Sequence, residues 1–470
     1  MLEIEKTTHT APTDASPLLT RRHLIQQLGG TFGFLGLAGM LSGQLNAATT
    51  SPVGTHFKPR TKRIIQLFMN GGPYQSDLFD PKPALKKYAG QRPKGATLRT
   101  ERVTGGLMPS PFEFEHCGAS GVQVSSLLPH FKKCIDEVCV LRAVHSDNPN
   151  HLPAMFLMNN GTTAPTAPSM GSWLSYGLGT ENQNLPGFVV LCPGKPLEAP
   201  LVWGSAFLPR KHQGTLINQS NLDPEKMVPY LRNAKLDRTD QRRQLDLLKR
   251  LNDEHLSERG KDDALSARIE AMETAFRMQF EASEAFDLNL EPAHTRERYG
   301  DSDFANGCLL ARRLVERGVR YTQLYYGDGQ PWDTHYAHNE NVKKLCGDID
   351  RPMAALIMDL KERGLLDETL ILWGGEFGRT PVSENSAGRD HNHWGFTMWM
   401  AGGGIRGGMT YGETDDFGFA AVQDKVHIHD LHATILHVLG IDHERLTYRY
   451  AGRDFRLTDV YGRVVKEILA

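Results

Sequence analysis

A carboxylate and two imidazoles stand within six residues at Asp333, His335 and His338, and 38 positions beyond the last of them comes Glu376 in a Gly-Gly-Glu sequence. Oxygen and nitrogen donors this close, with no thiolate among them, suit a borderline divalent cation such as zinc, manganese or iron better than a soft metal. The spacing also bears on geometry. If the 335–338 segment turns, both imidazoles can face one ion; if it is extended, they diverge and only one binds. A second polar concentration runs from His145 to His151 between an apolar run and a helical pattern, where anions and nucleophiles are commonly held. His151 is the candidate there, with helix capping as its other reading. Asn70, after the first apolar run, reads equally as a site residue or as turn chemistry. A later loop carries Arg389, His391 and His393, and Arg379 follows Glu376.

These residues need elements to carry them. Apolar, β-branched runs at 64–69, 138–144, 187–191, 319–326, 369–374 and 397–401 read as buried strands. Helical patterns fall at 124–136, 153–159, 169–177, 304–318, 342–364 and 433–440. Such alternation predicts a three-layer α/β/α sandwich around a mostly parallel sheet. In that architecture Asp333 and Glu376 follow strands and belong at the carboxyl edge, where open α/β sheets keep their sites. Residues 223–290 change character to charged, heptad-like sequence and predict an inserted helical hairpin. The histidines at 427, 429, 432 and 437 are explained mostly by capping and core packing. Gly402-Gly403-Gly404 lacks the lysine a phosphate loop needs.

Composition narrows the partners. With 53 basic against 55 acidic residues and no basic tract, nothing points to nucleic acid. A small-molecule or polysaccharide substrate is the expectation. Six cysteines form no CxxC pair. Near the start, Arg21-Arg22 precedes a mildly apolar stretch at 31–41 and small residues at Ala47 and Ala48. Residues 1–48 thus resemble a twin-arginine export signal, with 49–62 as linker and 63–470 as the folded domain. The stretch is too short to span a bilayer, so the expected location is periplasmic or extracellular, without a stable membrane span after cleavage.

An ordered set of motifs then carries a family resemblance: Asn70-Gly71-Gly72-Pro73, Asn150-His151, Tyr176-Gly177-Leu178-Gly179, the 311–318 run, Trp332-Asp333-Thr334-His335, Gly375-Glu376-Phe377-Gly378-Arg379-Thr380-Pro381 and Asp430-Leu431-His432-Ala433-Thr434. From about residue 60 to 470 the chain resembles number 1501 in the domain-of-unknown-function series of exported bacterial proteins. That family is similar to a divergent branch of the alkaline phosphatase and sulfatase superfamily. The resemblance implies that Asp333 with His335 or His338 holds one metal, that Glu376 and Asn70 stand at positions of a second, and that His391 or His393 supplies a late ligand. It implies one or two divalent ions, zinc, manganese or calcium. It puts Asn150-His151 at the nucleophile position, so that water or His151 itself attacks or the site no longer turns over; Ser169, at a helix start, is the fallback, and in the hydrolase reading Arg379 or Arg389 holds the anion. The function implied is hydrolysis of a phosphate or sulfate ester. Asn70 in place of a carboxylate and Phe377 in place of an imidazole support the alternative, a non-catalytic exported glycan- or protein-binding protein.

Overall fold

The computed structural model describes residues 53–227, 235–259, 263–385 and 387–470. The expected export signal lies outside them. In chain order the principal strands are β1 (Arg63–Phe68), β2 (Val138–His145), β3 (Phe188–Leu191), β4 (Thr215–Ile217), β5 (Tyr321–Tyr325), β6 (Thr369–Gly374), β7 (Gly378–Glu384), β8 (Gly388–Asn392), β9 (Phe396–Ala401), β10 (Met409–Tyr411) and β11 (Val426–His427). The principal helices are α1 (His151–Asn160), α2 (Met170–Leu178), α3 (Arg238–Arg259), α4 (Asp263–Phe286), α5 (Asp303–Glu316), α6 (His338–Glu362) and α7 (Ile428–Val438).

Nine strands form one sheet in the order β10-β2-β9-β6-β1-β5-β3-β4, with β11 also on β2. All its pairings are parallel except the two made by β9. Register aligns the strand ends: Phe68 pairs with both Tyr325 and Gly374, so β1, β5 and β6 release their chains at one edge. Trp399 of β9 pairs with Trp373 on one side and Val140 on the other, which brings the end of β2 to that edge too.

Strand residues alternate between two cores, as a period of two requires when both faces are covered. Ile65, Leu67 and Ile371 pack with α5 and α6, while Ile64, Phe68, Leu370 and Leu372 pack with α1, α2 and α7. The result is a three-layer α/β/α sandwich. Met278, Ala282, Ala285 and Phe286 of α4 join the α5–α6 core, which gives the charged 223–290 segment its apolar anchor. The six cysteines are buried and free. No helix among the described residues is long and apolar enough to cross a membrane.

Several elements differ from expectation: the loop expected from residue 388 begins with strand β8, paired with β7, and α7 begins at Ile428, five residues before the expected 433–440 run. The helix expected over 124–136 is instead a hairpin, Phe114–Cys117 with Val122–Ser125, followed by a 3-10 stretch, Phe131–Glu137. Val122 and Val124 are buried on one face of the hairpin, a two-residue period, and Pro129 lacks the amide a continuous helix would need. Helix α6 begins four residues earlier than expected and takes His338 into its first turn.

Candidate metal centre

Four segments meet at the carboxyl edge. The β1 exit turns at Gly71 with φ +114°, and a Cβ there would lie 2.4 Å from the Asp333 amide nitrogen, so only glycine lets the two loops touch. The β5 exit brings Asp333 and His335 over that turn, with the Trp332 amide on the Asn70 carbonyl at 3.1 Å. The β6 exit supplies Glu376. The antiparallel hairpin β7–β8 pairs His391 with Arg379, with a register shift between Arg389 and His391. His151 enters from the first residue of α1.

The side chains of His151, Asp333, His335 and His391 converge so that one donor atom from each lies within 4.8 Å of all the others. The His151, His335 and His391 Nε2 atoms stand 3.3, 3.0 and 3.2 Å from Asp333 Oδ1. Nε2 of His335 and Nε2 of His391 are 3.0 Å apart. These spacings are close to the ~3.3 Å edge of a tetrahedron with bonds of ~2.0–2.1 Å, so the donor set fits a zinc-like ion. The outer nitrogen of every imidazole is taken by a carboxylate: His151 Nδ1 by Glu376 Oε1 at 2.7 Å, His335 Nδ1 by Glu384, and His391 Nδ1 by Glu101. A carboxylate behind each ring can hold the Nδ1 proton, so that Nε2, which otherwise donates to Asp333, would be free to bind an ion, the arrangement that tunes histidine ligands at metal sites.

Charge follows the geometry. Burial would raise the Asp333 carboxyl, but hydrogen bonds from His151, His335 and His391, with the Arg379 charge, hold it far below the usual range. Burial pushes His391 down to about 3, against the pull of Asp333, so its ring is neutral and available as a donor. His151 moves upward despite burial, because both Asp333 and Glu376 bind it. Asp333 remains 24% exposed, which leaves the cluster open to solvent on its side.

The model of the family described as "Protein of unknown function (DUF1501)" matches residues 61–469. The chain belongs to the DUF1501 family. No curated protein matches it. Among solved structures it is similar to the PsFucS1 sulfatase from Pseudoalteromonas sp. (13% identity, 82% of this chain and 69% of that one, TM-score 0.35). It is also similar to the phosphonate monoester hydrolase SpPMH from Silicibacter pomeroyi (12%, 73% and 71%, TM-score 0.33). A third is Ps i-CgsB in complex with k-i-k-neocarrahexaose (10%, 81% and 72%, TM-score 0.37). At these scores the likenesses place no residue and no activity on the DUF1501 chain.

Of the expected site residues, the DUF1501 fold gathers His151, Asp333, His335 and His391, with Glu376 one imidazole away from Asp333 and Arg379 Nη2 at 2.5 Å from it. His338 faces away. Ala337 adopts a left-handed φ of 46° and reverses the chain, so His338 is wholly buried with Nδ1 2.6 Å from Thr334 Oγ1 and Nε2 2.8 Å from Asp77. His393 also lies outside the cluster, its ring packed on Trp394 at 4.4 Å; Asn392 ends the strand, so the alternation that would return residue 393 to the face of His391 stops short of it. The Asn70 amide donates to the Gly327 and Gly329 carbonyls and ties down the β5 exit. Asn150 is an exposed cap residue whose side chain does not cap. Arg389 is fully buried, donating to the Thr380 and Met108 carbonyls with its guanidinium over the Tyr74 ring at 3.8 Å. Ser169 is spent as the cap of α2. His429 and His432 donate to the Gly161 and Met158 carbonyls as packing residues. Sequence reasoning missed Glu101, Glu384, Asp390 and Asp77. Glu101 sits in a loop 290 positions from its partner His391 and carries no local signal.

Proposed function

We propose that this protein is an exported metal-dependent hydrolase of a phosphate or sulfate ester, with one divalent ion held by His151, His335, His391 and Asp333. The observation that carries the reading is the convergence of three carboxylate-backed imidazoles and a carboxylate on one point. Three nitrogen donors and one oxygen favour zinc, manganese or iron over calcium, which takes six to eight oxygens. Such an ion supplies Lewis-acid polarisation of the ester and makes water a nucleophile near neutral pH. The chain's own residues do the rest. Glu376, Glu384 and Glu101 orient the imidazoles, and Arg379 steadies Asp333. Neither Asn150 nor Ser169 is disposed as a nucleophile, which supports attack by water.

The binding-protein alternative draws on one observation: Arg379 and Arg389, the expected anion holders, are both fully buried and engaged within the protein. Elemental analysis of purified protein, followed by hydrolysis of p-nitrophenyl esters with and without the metal found, separates the readings. Stoichiometric metal and metal-dependent turnover support the hydrolase. Metal-free protein with no turnover and no thermal response to added zinc, manganese or iron leaves the binding protein.

A further inference from the structure

We infer that this site takes esters whose reacting group carries one negative charge and discriminates against dianionic ones, an inference that rests on the hydrolase reading above. Five carboxylates are wired directly to the candidate ligands or are themselves one: Asp333, Glu376, Glu384, Glu101 and Asp390. Glu376, Glu384 and Asp390 are almost wholly buried, so water screens them little. Among the described residues, the guanidinium groups in contact with these carboxylates are two. Arg379 is fully buried and donates to Asp333 and to the Gly71, Gly72 and Arg389 carbonyls. Arg102 bonds Glu384 Oε1 at 3.3 Å, and its backbone amide caps Asp390 at 2.7 Å. Arg389 spends its charge beside Asp77 and on the Tyr74 face.

Five carboxylates against two guanidiniums leave a surplus of three negative charges, and one divalent ion leaves a surplus of one. A phosphate monoester brings two charges to that surroundings and finds no uncommitted guanidinium on Arg379 or Arg389. A sulfate monoester or a phosphate diester brings one. At contact distances and the effective dielectric of a partly buried site, one extra repelled charge is worth roughly tenfold or more in affinity. Raising ionic strength screens the solvent-facing part of that repulsion and narrows the difference.

The test uses the full metal-loaded chain at about pH 8, where a phosphate monoester is dianionic. Calorimetric binding and kcat/KM are measured for p-nitrophenyl phosphate, p-nitrophenyl sulfate and bis-p-nitrophenyl phosphate, at low and high salt. At least one monoanion is expected to bind, and where turnover occurs to react, roughly tenfold or more better than the dianion, with the gap shrinking in salt. The Glu101→Gln variant, which removes one charge from the partly exposed end of the cluster, is expected to narrow the gap when assayed at metal concentrations that saturate its weakened site. Equal or better use of the dianion, or no binding of any of the three, overturns the inference. Binding in the expected order without hydrolysis supports the charge preference and overturns the hydrolase reading instead.

Discussion

His151 and Glu376 form a buried pair, Nδ1 to Oε1 at 2.7 Å, and the same Glu376 carboxylate accepts the Gly71 amide at 2.9 Å. One side chain thereby joins the exits of β1 and β6 to the first turn of α1, and it turns His151 Nε2 toward Asp333 at 3.3 Å. The residue that the family resemblance puts at a metal position thus stands behind the imidazole of His151, a candidate ligand.

Replacing Glu376 by Gln keeps the shape but removes the charge that makes His151 a strong donor. Metal affinity is expected to fall about 10–100-fold with the fold intact. A chelator-competition titration, checked by circular dichroism, reads this out. Unchanged affinity would remove Glu376 from the support of the site.

Chelation of the wild type is expected to lower its melting temperature, since an ion that binds only the folded state stabilises it by mass action, about 2.7 kcal/mol at a hundredfold excess over Kd. Asp333→Ala and His391→Ala should each lose metal, and their melting should be indifferent to chelator. Calorimetric scans with and without chelator make the comparison.

His338 makes the opposite prediction. Burial holds its ring down at about 4, so it is a neutral donor that bridges Thr334 and Asp77 inside the protein, and His338→Leu takes that hydrogen bond from the buried Asp77 carboxylate. A loss of about 1–3 kcal/mol is expected from leaving a buried acceptor without its donor. The folded fraction should nonetheless keep its metal, measured per folded molecule after gel filtration. Selective loss of metal from a variant of unchanged stability would make His338 a ligand.

Acid sensitivity should come partly from His432. Burial holds its imidazole down at about 3, from the ordinary 6.5. Between those values the unfolded chain binds the proton and the folded chain does not. Stability from this group is therefore present above about pH 6.5 and lost as pH falls toward 3, at about 1.4 kcal/mol per pH unit. Urea unfolding of the wild type and His432→Leu at pH values across that window should show a shallower acid slope in the variant, alongside a lower plateau at neutral pH from the lost bond to the Met158 carbonyl.

The sequence by itself determined the layered architecture, because burial on both faces leaves β-branched apolar runs such as 64–69 and 369–374 that no exposed element would carry. It determined which chemistry was available, since Asp333 and Glu376 had to follow strands and therefore stand at one edge, and an ordered set of motifs established the family. Tertiary structure alone decided which donors meet. Whether His335 or His338 turns inward depends on the left-handed φ of one residue, Ala337, which is neither Gly nor Asn and gives no warning. Arg389 looked like an anion holder and is sealed against Tyr74 instead, a fate set by packing between distant loops. The hairpin at 114–125 was hidden because its period spans only four residues per strand. The carboxylates behind the histidines, Glu101 with His391 and Glu384 with His335, are joined across 290 and 49 positions. Local periodicity records how a segment meets its own core, and it holds no information about a partner brought in from another loop.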